Sequence, residues 1–328
     1  MDKKAVSKSS FFITYNKFRH EDNTTEHYYK ISLYLRGKSQ DIQPTMKNII
    51  FILAILLTIS TQLHSRNIRY TADDSIKVVK MLKRLKPIRK SDTGKLLLEA
   101  SKLFLGTPYV GGTLDREKSE KLTVNISAVD CSTFVDQALA LALTVGEGKC
   151  DFSTFCKNLE KVRYRDGICN GYESRLHYFS WWVADGEKRG IVRELSGKAF
   201  DKKHRLDLGF MSRNPDKYMQ LNSDSILTAK IAEYERPFRN ITCPYIPKHL
   251  LAHSAKRLPV RNGDIIAIVT TIKGLDVTHQ GIAVWQNGKL HMLHASSKEK
   301  KVILDRISLH DYLAPRKSAP GIRVVRVM

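Results

Sequence analysis

One cysteine stands between an aspartate and an apolar run in the sequence AVDCSTFVDQALALAL, residues 128–143. The apolar residues recur at helical spacing, which predicts a buried helix that begins at Cys131. The N–H groups and the macrodipole of a helix start favour negative charge, so we expect them to lower the pKa of the thiol and to stabilise an oxyanion. The alternative is a structural thiol buried in the core, and position alone leaves both interpretations open.

A cysteine nucleophile needs a base, usually histidine, and a third group that orients it. An Asn-Gly pair, Asn287-Gly288, lies between two runs of alternating polarity, which predicts a β-hairpin. With this pair as the loop, Gly281 lies opposite His294, and His279 and His294 are diagonal neighbours on one face. Gly281 then leaves open space across from His294.

The same register places His291 on the opposite face of the hairpin, which excludes it as the orienting residue. A loop longer or shorter by one residue would reverse this choice. Two half-exposed strand histidines without a catalytic role are the structural alternative. The candidate catalytic set is therefore Cys131, His279 and His294.

Further residues are candidates for an oxyanion or substrate-binding site. They are Tyr109, Ser132, Gly112, Arg175, His177 and Tyr178. The phenol of Tyr109, in the glycine-rich loop GTPYVGGTL, could hydrogen-bond a substrate, and Arg175 would suit a substrate carboxylate. A packed tyrosine and the face of an amphipathic helix over 172–186 are the structural alternatives.

The elements that position these residues change from helical to extended along the chain. Residues 72–105 have helical spacing, with Ser91 or Asp92 as a candidate N-cap. Residues 150–258 form a mixed region, which we interpret as a large helical and loop insertion beside the core. From residue 259 the period becomes two, and the predicted strands are 262–271, 277–285, 289–296 and 321–327. Helices followed by an antiparallel sheet predict an α+β fold.

The start of the chain has the layout of an export signal. Residues 46–65 have a basic start at Met46-Lys47, then an apolar run and a polar end, as in a secretory signal peptide. The run is short for a membrane span, and an uncleaved anchor is the alternative. Residues 1–45 have no clear period, so we expect a mis-assigned or disordered leader with translation beginning at Met46. The mature protein would then be a single domain, residues 66–328, without stable membrane insertion.

The predicted mature segment is strongly basic. The full chain has a net charge of +22, and residues 66–328 carry 46 Lys/Arg and 28 Asp/Glu, which gives +18. This charge favours an anionic partner, and a solvated basic surface without such a partner is the alternative. No zinc-finger spacing, aromatic-basic RNA motif or phosphate-binding glycine loop accompanies it, which argues against nucleic acid. The five cysteines have no metal-ligand spacing, and their odd number leaves at least one without an internal disulfide partner.

Several segments resemble known motifs. DCSTFV, NGDIIAI and HQGIAVWQNGKLHMLHAS resemble, in type and order, the motifs of the NlpC-type papain-like cell-wall cysteine hydrolases. GTPYVGGTL, YRDGICNGYESRLHYF and GLDVTHQGIA are similar to their N-acetylmuramoyl-L-alanine amidase-like branch in Gram-negative bacteria. The resemblance covers about residues 97–327, nearly the whole predicted mature chain.

The resemblance implies a papain-like core in which Cys131 is the nucleophile, His279 the general base and His294 the third polar residue. Tyr109 would act at the oxyanion or substrate site. The implied partners are peptidoglycan or its fragments, cut between the N-acetylmuramoyl lactyl group and L-Ala without a metal or cofactor, in the periplasm. The alternatives are a stem-peptide endopeptidase that cuts after D-Glu with the same triad, and a non-catalytic cell-wall-binding protein.

Overall fold

The computed structural model describes residues 68–200, 202–254 and 257–328. The predicted leader at 1–45 and the predicted signal peptide at 46–65 lie outside these ranges, and both stay predictions. Within the described ranges, no helix combines the length and the apolar character that a membrane span requires.

The helices of the described ranges lie mostly in the first two thirds of the chain. Their bounds are α1 (Ala72–Leu85), α2 (Thr93–Lys102), α3 (Cys131–Gly146), α4 (Phe152–Arg163), α5 (Phe179–Lys188), α6 (Phe210–Arg213), α7 (Ser225–Glu235) and α8 (Leu309–Leu313). The helices α1 and α2 cover most of the predicted helical stretch. Asp92 caps α2, because its side chain accepts the N–H of Lys95 at 3.0 Å.

The strands form one large antiparallel sheet and one small parallel pair. Their bounds are β1 (Ile68–Arg69), β2 (Leu122–Thr123), β3 (Val192–Glu194), β4 (Lys202–Asp207), β5 (Arg239–Pro247), β6 (Ile265–Val269), β7 (Val277–Gln286), β8 (Lys289–Ser296), β9 (Lys301–Leu304) and β10 (Gly321–Val327). The large sheet has the order β4-β5-β10-β6-β7-β8-β9, with β3 beside the end of β10. Every pairing within it is antiparallel, as the α+β prediction requires.

Helix α3 is buried among the other elements. It packs against α1, α2 and α4 and against strands β7 and β8. The predicted stripe is at most 1% exposed at Phe134, Val135, Ala138, Leu139 and Ala142. The sequence ALALA continues the apolar character around the helix, which is typical of a helix surrounded by protein. Cys131, its first residue, therefore has a fixed place next to β7.

Strands β7 and β8 form the predicted hairpin. Gln286 pairs with Lys289 and Ile282 pairs with Leu293, so the loop is Asn287-Gly288. Both loop residues have positive φ, 49° and 75°, as a two-residue hairpin turn requires. The predicted register is confirmed, and β8 and β10 have the predicted bounds.

The region 150–258 is not only the helical and loop insertion that we expected. It contains β3, β4 and β5, which belong to the large sheet. Strand β4 has the sequence KKHRLD and is largely exposed, and β5 contains two prolines. Neither strand alternates apolar and polar residues over a buried face, so the period of two could not reveal them.

The predicted helix over 172–186 is also shorter than expected. Helix α5 begins only at Phe179, and Arg175 and Tyr178 have extended backbones. Leu176 N–H donates to the carbonyl of Arg163 at 3.0 Å, which holds this stretch against the end of α4. Successive side chains of an extended backbone point in different directions. The polar residues before Phe179 therefore do not form one helix face.

Candidate active site

Cys131 opens α3, and Asp130 is its N-cap. The Asp130 carboxylate accepts the N–H of Ser132 at 3.0 Å and that of Thr133 at 2.8 Å. The Thr133 hydroxyl accepts the Asp130 N–H at 2.9 Å, which completes a capping box. The prediction that first-turn N–H groups stabilise an oxyanion is therefore wrong for these two groups, because the cap already occupies them.

The predicted lowering of the thiol pKa is also wrong. Burial of the sulfur and the negative charge of Asp130 raise the pKa of Cys131 to about 11, against smaller opposing contributions from the Gln280 N–H and the Ser132 hydroxyl. The prediction weighed the helix dipole without the charge of its own capping residue or the loss of water around the sulfur. Burial and the Asp130 charge therefore favour the neutral thiol in the resting protein.

His279 and His294 contact each other across β7 and β8, as the register predicts. His279 Nε2 lies 2.6 Å from His294 Nδ1, and the two rings are nearly perpendicular, at 86°. His294 is 1% exposed. Its other nitrogen, Nε2, lies 3.4 Å from Asp305 Oδ2. The three side chains form a continuous series of polar contacts, while His291 pairs with Val284 on the other face, as predicted.

Gly281 allows the close approach of β7 and β8 at His294. A Cβ atom at this position would lie 2.7 Å from the carbonyl oxygen of Leu293 and 2.8 Å from the Cβ of His294. The prediction of open space across from His294 is therefore wrong. Glycine is required here because the neighbouring strand fills that space.

Both imidazoles are neutral at pH 7. Burial and the neighbouring charges of His294 and Arg316 lower the pKa of His279 to about 3. Burial also lowers the pKa of His294, although Asp305 opposes this effect. The directions of both pKa shifts favour a neutral thiol and a neutral imidazole over a thiolate–imidazolium pair in the resting site.

Cys131 and His279 line one cavity of about 210 Å³, which we name the small cavity. Its wall also includes Ser132, His177, Tyr178, Phe179, Trp182 and Gln280. The structure thus brings three of the predicted substrate-binding residues, Ser132, His177 and Tyr178, to the candidate nucleophile. Gln280 was missed by the sequence reasoning, although it follows His279 directly, and its amide donates to the Ser132 hydroxyl at 2.9 Å.

The polar groups of His177 and Tyr178 already have partners in the protein. His177 Nε2 donates to the carbonyl of Tyr172 at 2.8 Å, and burial together with Arg175 lowers the pKa of His177 well below its ordinary value. The Tyr178 hydroxyl donates to Glu235 at 2.7 Å and accepts the Met211 N–H at 2.8 Å. These contacts fix both rings in the wall of the small cavity.

Three predicted oxyanion or substrate-binding residues, Tyr109, Gly112 and Arg175, are not in that wall. Arg175 is 6% exposed. It pairs with Asp115 and lies 3.7 Å from a Glu120 oxygen, so protein carboxylates occupy the guanidinium that we expected to bind a substrate carboxylate. Gly112 lies in an exposed turn with φ of 68°, where its conformational freedom serves the turn. The geometry therefore does not support a substrate-binding role for Arg175 or Gly112, and both assignments stay predictions.

Tyr109 lies beside the start of α3. Its backbone pairs with Val129, two residues before the cysteine. Burial raises the pKa of its phenol, as do the thiolate that Cys131 forms only at high pH and the charge of Asp130, so the phenol stays protonated at pH 7. Its position is compatible with the predicted role as a hydrogen-bond donor near the sulfur.

A second cavity meets the small cavity at Thr278 and His279. This large cavity has a volume of about 750 Å³. Its wall includes His294, Lys298, Lys301, Asp305, Arg306, Tyr312 and Arg316. Sequence reasoning missed Asp305, Tyr312 and Arg316, because they follow β9 in segments without a recognisable motif and reach the histidines only through the pairing of β8 with β9.

The chemistry available at the site is that of a thiol and an imidazole base that line one cavity, with a second imidazole to orient the base. Such a set suits nucleophilic attack on a carbonyl carbon. The five cysteines, all within the described ranges, are free thiols. The described residues contain no group of three His, Cys, Asp or Glu side chains placed to hold a metal ion.

Solved structures of similar proteins cover most of the chain. An N-acetylmuramoyl-L-alanine amidase from Bacteroides uniformis ATCC 8492 is 38% identical, covers 73% of this chain and 100% of its own, and has a TM-score of 0.68. A protein from Bacteroides fragilis that is named provisionally as a xylanase is 41% identical, covers 70% of this chain and 99% of its own, and has a TM-score of 0.66. A protein from Legionella pneumophila str. Philadelphia 1 shares the fold at 22% identity. It covers 76% of this chain and 94% of its own, and has a TM-score of 0.58.

No curated protein matches the chain significantly. A family model described as AmiA-like, N-acetylmuramoyl-L-alanine amidase-like, matches residues 99–322, which is more than half of the chain. This range contains the whole candidate site, from Tyr109 to Arg316. The chain therefore belongs to the AmiA-like family of N-acetylmuramoyl-L-alanine amidase-like proteins.

Proposed function

We propose that the protein is an exported cysteine amidohydrolase of peptidoglycan or its fragments, which cleaves the amide between the N-acetylmuramoyl lactyl group and L-Ala. One arrangement carries the proposal. Cys131 and His279 line one cavity, and His279 Nε2 makes a hydrogen bond of 2.6 Å with His294 Nδ1. The family and the named amidase of Bacteroides uniformis support the substrate class. A papain-like, NlpC-type core is part of the proposal and is supported by the motifs around these residues.

The reaction starts from the neutral pair. His279 accepts the proton of the Cys131 thiol while the sulfur bonds to the amide carbonyl carbon, and the carbonyl oxygen becomes an oxyanion. The carbon–nitrogen bond then breaks as the His279 imidazolium gives its proton to the nitrogen of L-Ala. The peptide leaves with a free N-terminal L-Ala, and the muramoyl group stays on Cys131 as a thioester.

Water completes the cycle. His279 accepts a proton from the water that attacks the thioester carbon, and the departing Cys131 sulfur regains a proton from His279. The product is the free carboxylic acid of the muramoyl group. Because the Ser132 and Thr133 N–H groups are occupied by the Asp130 cap, we assign the support of the oxyanion to other donors, with Tyr109 as the first candidate.

The name of the Bacteroides fragilis relative raises glycoside hydrolysis as an alternative. Glycosidases commonly use two carboxyl groups, one as acid and one as base or nucleophile. At the small cavity, Asp136 pairs with Arg163 at 2.9 Å. Asp276 accepts the N–H groups of Ser180 at 2.6 Å and Val277 at 2.8 Å. Both carboxylates serve the fold, so the cavity favours amide hydrolysis through Cys131.

Mass spectrometry of the products from defined muropeptides tests the function. We expect a free N-terminal L-Ala, whereas a cut after D-Glu would identify the stem-peptide endopeptidase. Binding without any cut would identify a cell-wall-binding protein, and xylan serves as the glycan control.

The cysteine mechanism has its own test. Cys131→Ala should lower kcat by roughly 10³-fold or more, since nucleophile and base act as a unit. Cys150→Ala removes a half-buried thiol beyond the end of α3 and should leave kcat unchanged. Full activity of Cys131→Ala would refute the cysteine mechanism.

Export is tested on the native protein. N-terminal sequencing should find a mature chain that begins near residue 66 and recovers with the periplasmic fraction. A mature protein that retains residues 1–45 would refute both the proposed start at Met46 and the signal peptide.

A further inference from the structure

The contact between the two imidazoles allows two tautomer arrangements. His279 Nε2 and His294 Nδ1 are 2.6 Å apart, and because both rings are neutral, one nitrogen donates and the other accepts. In the first arrangement His279 carries its proton on Nε2, and its Nδ1 keeps a free lone pair. In the second, His294 donates from Nδ1, and His279 carries its proton on Nδ1. Only the first leaves His279 a free nitrogen that can act as a base.

Asp305 distinguishes the two arrangements. His294 Nε2 is buried, has no well-aligned hydrogen bond to any described residue, and lies 3.4 Å from Asp305 Oδ2. In the first arrangement this nitrogen carries a proton directed at the carboxylate. In the second it directs a lone pair at a negative charge, which is repulsive. The distance is long for a hydrogen bond, and such contacts commonly tighten when substrate binds.

The backbone of Asp305 is fixed by β8. Its N–H donates to the carbonyl of Met292 at 3.0 Å, and its carbonyl accepts from His291 Nδ1 at 3.0 Å. His291, on the face opposite to His294, therefore holds the residue whose side chain faces His294. The Tyr312 ring also packs against His294, with the centroids 5.8 Å apart. The imidazole thus contacts both a carboxylate and an aromatic ring, and these contacts limit its rotation.

We propose that Asp305 is a positioning residue, which selects through His294 the tautomer of His279 whose Nδ1 is free to accept the proton of Cys131. The inference rests on the proposed cysteine mechanism and extends its polar series by one carboxylate. It assigns a role to a residue outside the predicted triad.

The comparison of Asp305→Asn with Asp305→Ala tests the role. Asparagine keeps the size of the side chain, but its amide can donate to His294 Nε2 and so stabilise the second, unproductive arrangement. Alanine only removes the preference for the first arrangement and does not stabilise the second. We expect kcat on a muropeptide to fall on the order of 10²-fold or more in Asp305→Asn and by less in Asp305→Ala, with KM nearly unchanged and equal melting temperatures. If the Asp305 carboxylate had only a structural role, kcat would fall more in Asp305→Ala than in Asp305→Asn, since alanine is the larger change in the side chain.

Nitrogen-15 NMR of histidine-labelled protein gives a readout independent of turnover. We expect protonated Nε2 on both His279 and His294 in the wild type, and protonated Nδ1 on both in Asp305→Asn. Unchanged tautomers in Asp305→Asn, or Asp305→Ala as impaired as Asp305→Asn, would overturn the inference. The proposed cysteine mechanism has a separate test, since full activity of Cys131→Ala would refute it. That result would not change the histidine tautomers that NMR measures.

Discussion

The small cavity and the large cavity share His279 but are built in opposite ways. At the small cavity, the charged groups are buried and paired within the protein, as Arg163 is with Asp136 and Asp276 with two backbone N–H groups. At the large cavity, Lys298, Lys301, Arg306 and Arg316 are exposed. One cavity is held by internal contacts, and the other presents charge to solvent.

The difference separates two tasks. Buried and paired groups hold a fixed shape, which favours the alignment of reacting atoms. Exposed cations attract an anionic substrate over a distance, and salt screens them. We therefore expect changes to the buried, paired groups to act on stability and kcat, and changes to the exposed cations of the large cavity to act on KM. His279 lines both cavities, so both contributions meet at this residue.

Replacement of Arg163 by methionine should have the largest effect on stability. Arg163 is 2% exposed. It donates to Asp136 at 2.9 Å and to the carbonyl of Thr123 at 2.7 Å. Burial already raises the pKa of Asp136 against the effect of this guanidinium, so the variant leaves a buried carboxyl group unpaired. We expect Arg163→Met to lower the free energy of unfolding by about 3–5 kcal/mol, measured by urea denaturation.

The matched control is the same substitution at the large cavity. Arg306 lines that cavity and is exposed. Arg306→Met should change the free energy of unfolding by less than about 0.5 kcal/mol. Equal losses in the two variants would contradict the distinction between a buried, paired wall and an exposed, charged one.

Gly281→Ala tests the boundary between the cavities. The added Cβ would meet the Leu293 carbonyl at 2.7 Å and the His294 Cβ at 2.8 Å, and two paired backbones cannot easily separate. We expect a loss of about 1–3 kcal/mol in the free energy of unfolding, together with a lower kcat as His294 is displaced. Denaturation and steady-state kinetics measure the two effects on one preparation.

Helix α3 offers the control glycine. An added Cβ at Gly146 would have Leu96 Cδ1 as its nearest neighbour at 3.8 Å, an ordinary contact. Gly146→Ala should therefore keep both stability and kcat. A wild-type kcat in Gly281→Ala would show that catalysis does not depend on the position of His294.

The neutral resting pair predicts how the reactivity of Cys131 depends on pH. Burial and Asp130 raise the pKa of this thiol to about 11, so the thiolate is the minor form at pH 7 and grows as the pH rises. The rate of alkylation by iodoacetamide should increase about tenfold per unit between about pH 7 and pH 10. Mass spectrometry of the peptide that contains Cys131 measures the rate. A plateau across neutral pH would instead indicate a thiolate–imidazolium pair.

Local patterns predicted the elements that carry the candidate catalytic set. The Asn287-Gly288 pair fixed the hairpin loop, and the period of two then put His279 and His294 on one face, where the structure has them in contact. The apolar spacing after Cys131 located the start of α3 correctly. These features depend on residues close together in sequence, so a single sequence contains them.

The properties that depend on distant partners could not be predicted in this way. Arg175 is occupied by Asp115, 60 residues earlier in the chain. Asp305 reaches His294 only because β9 pairs with β8, and the pKa of Cys131 depends on burial by β7. The polar, largely exposed strand β4 lacks the periodicity of a buried strand, so its place in the sheet was equally hidden.

The smallest effect is expected at the large cavity, from its exposed lysines. Lys298 and Lys301 line this cavity, and replacing both by glutamine removes two positive charges without disturbing buried contacts. We expect KM for an anionic muropeptide to rise about 2–5-fold and its dependence on salt to weaken, with kcat unchanged, since exposed charges contribute below about 1 kcal/mol each. Lys83→Gln removes one positive charge at an exposed position of α1 and should change neither KM nor its dependence on salt. If KM stays constant in the double variant, the cations of the large cavity do not attract the substrate, and its recognition depends on the small cavity alone.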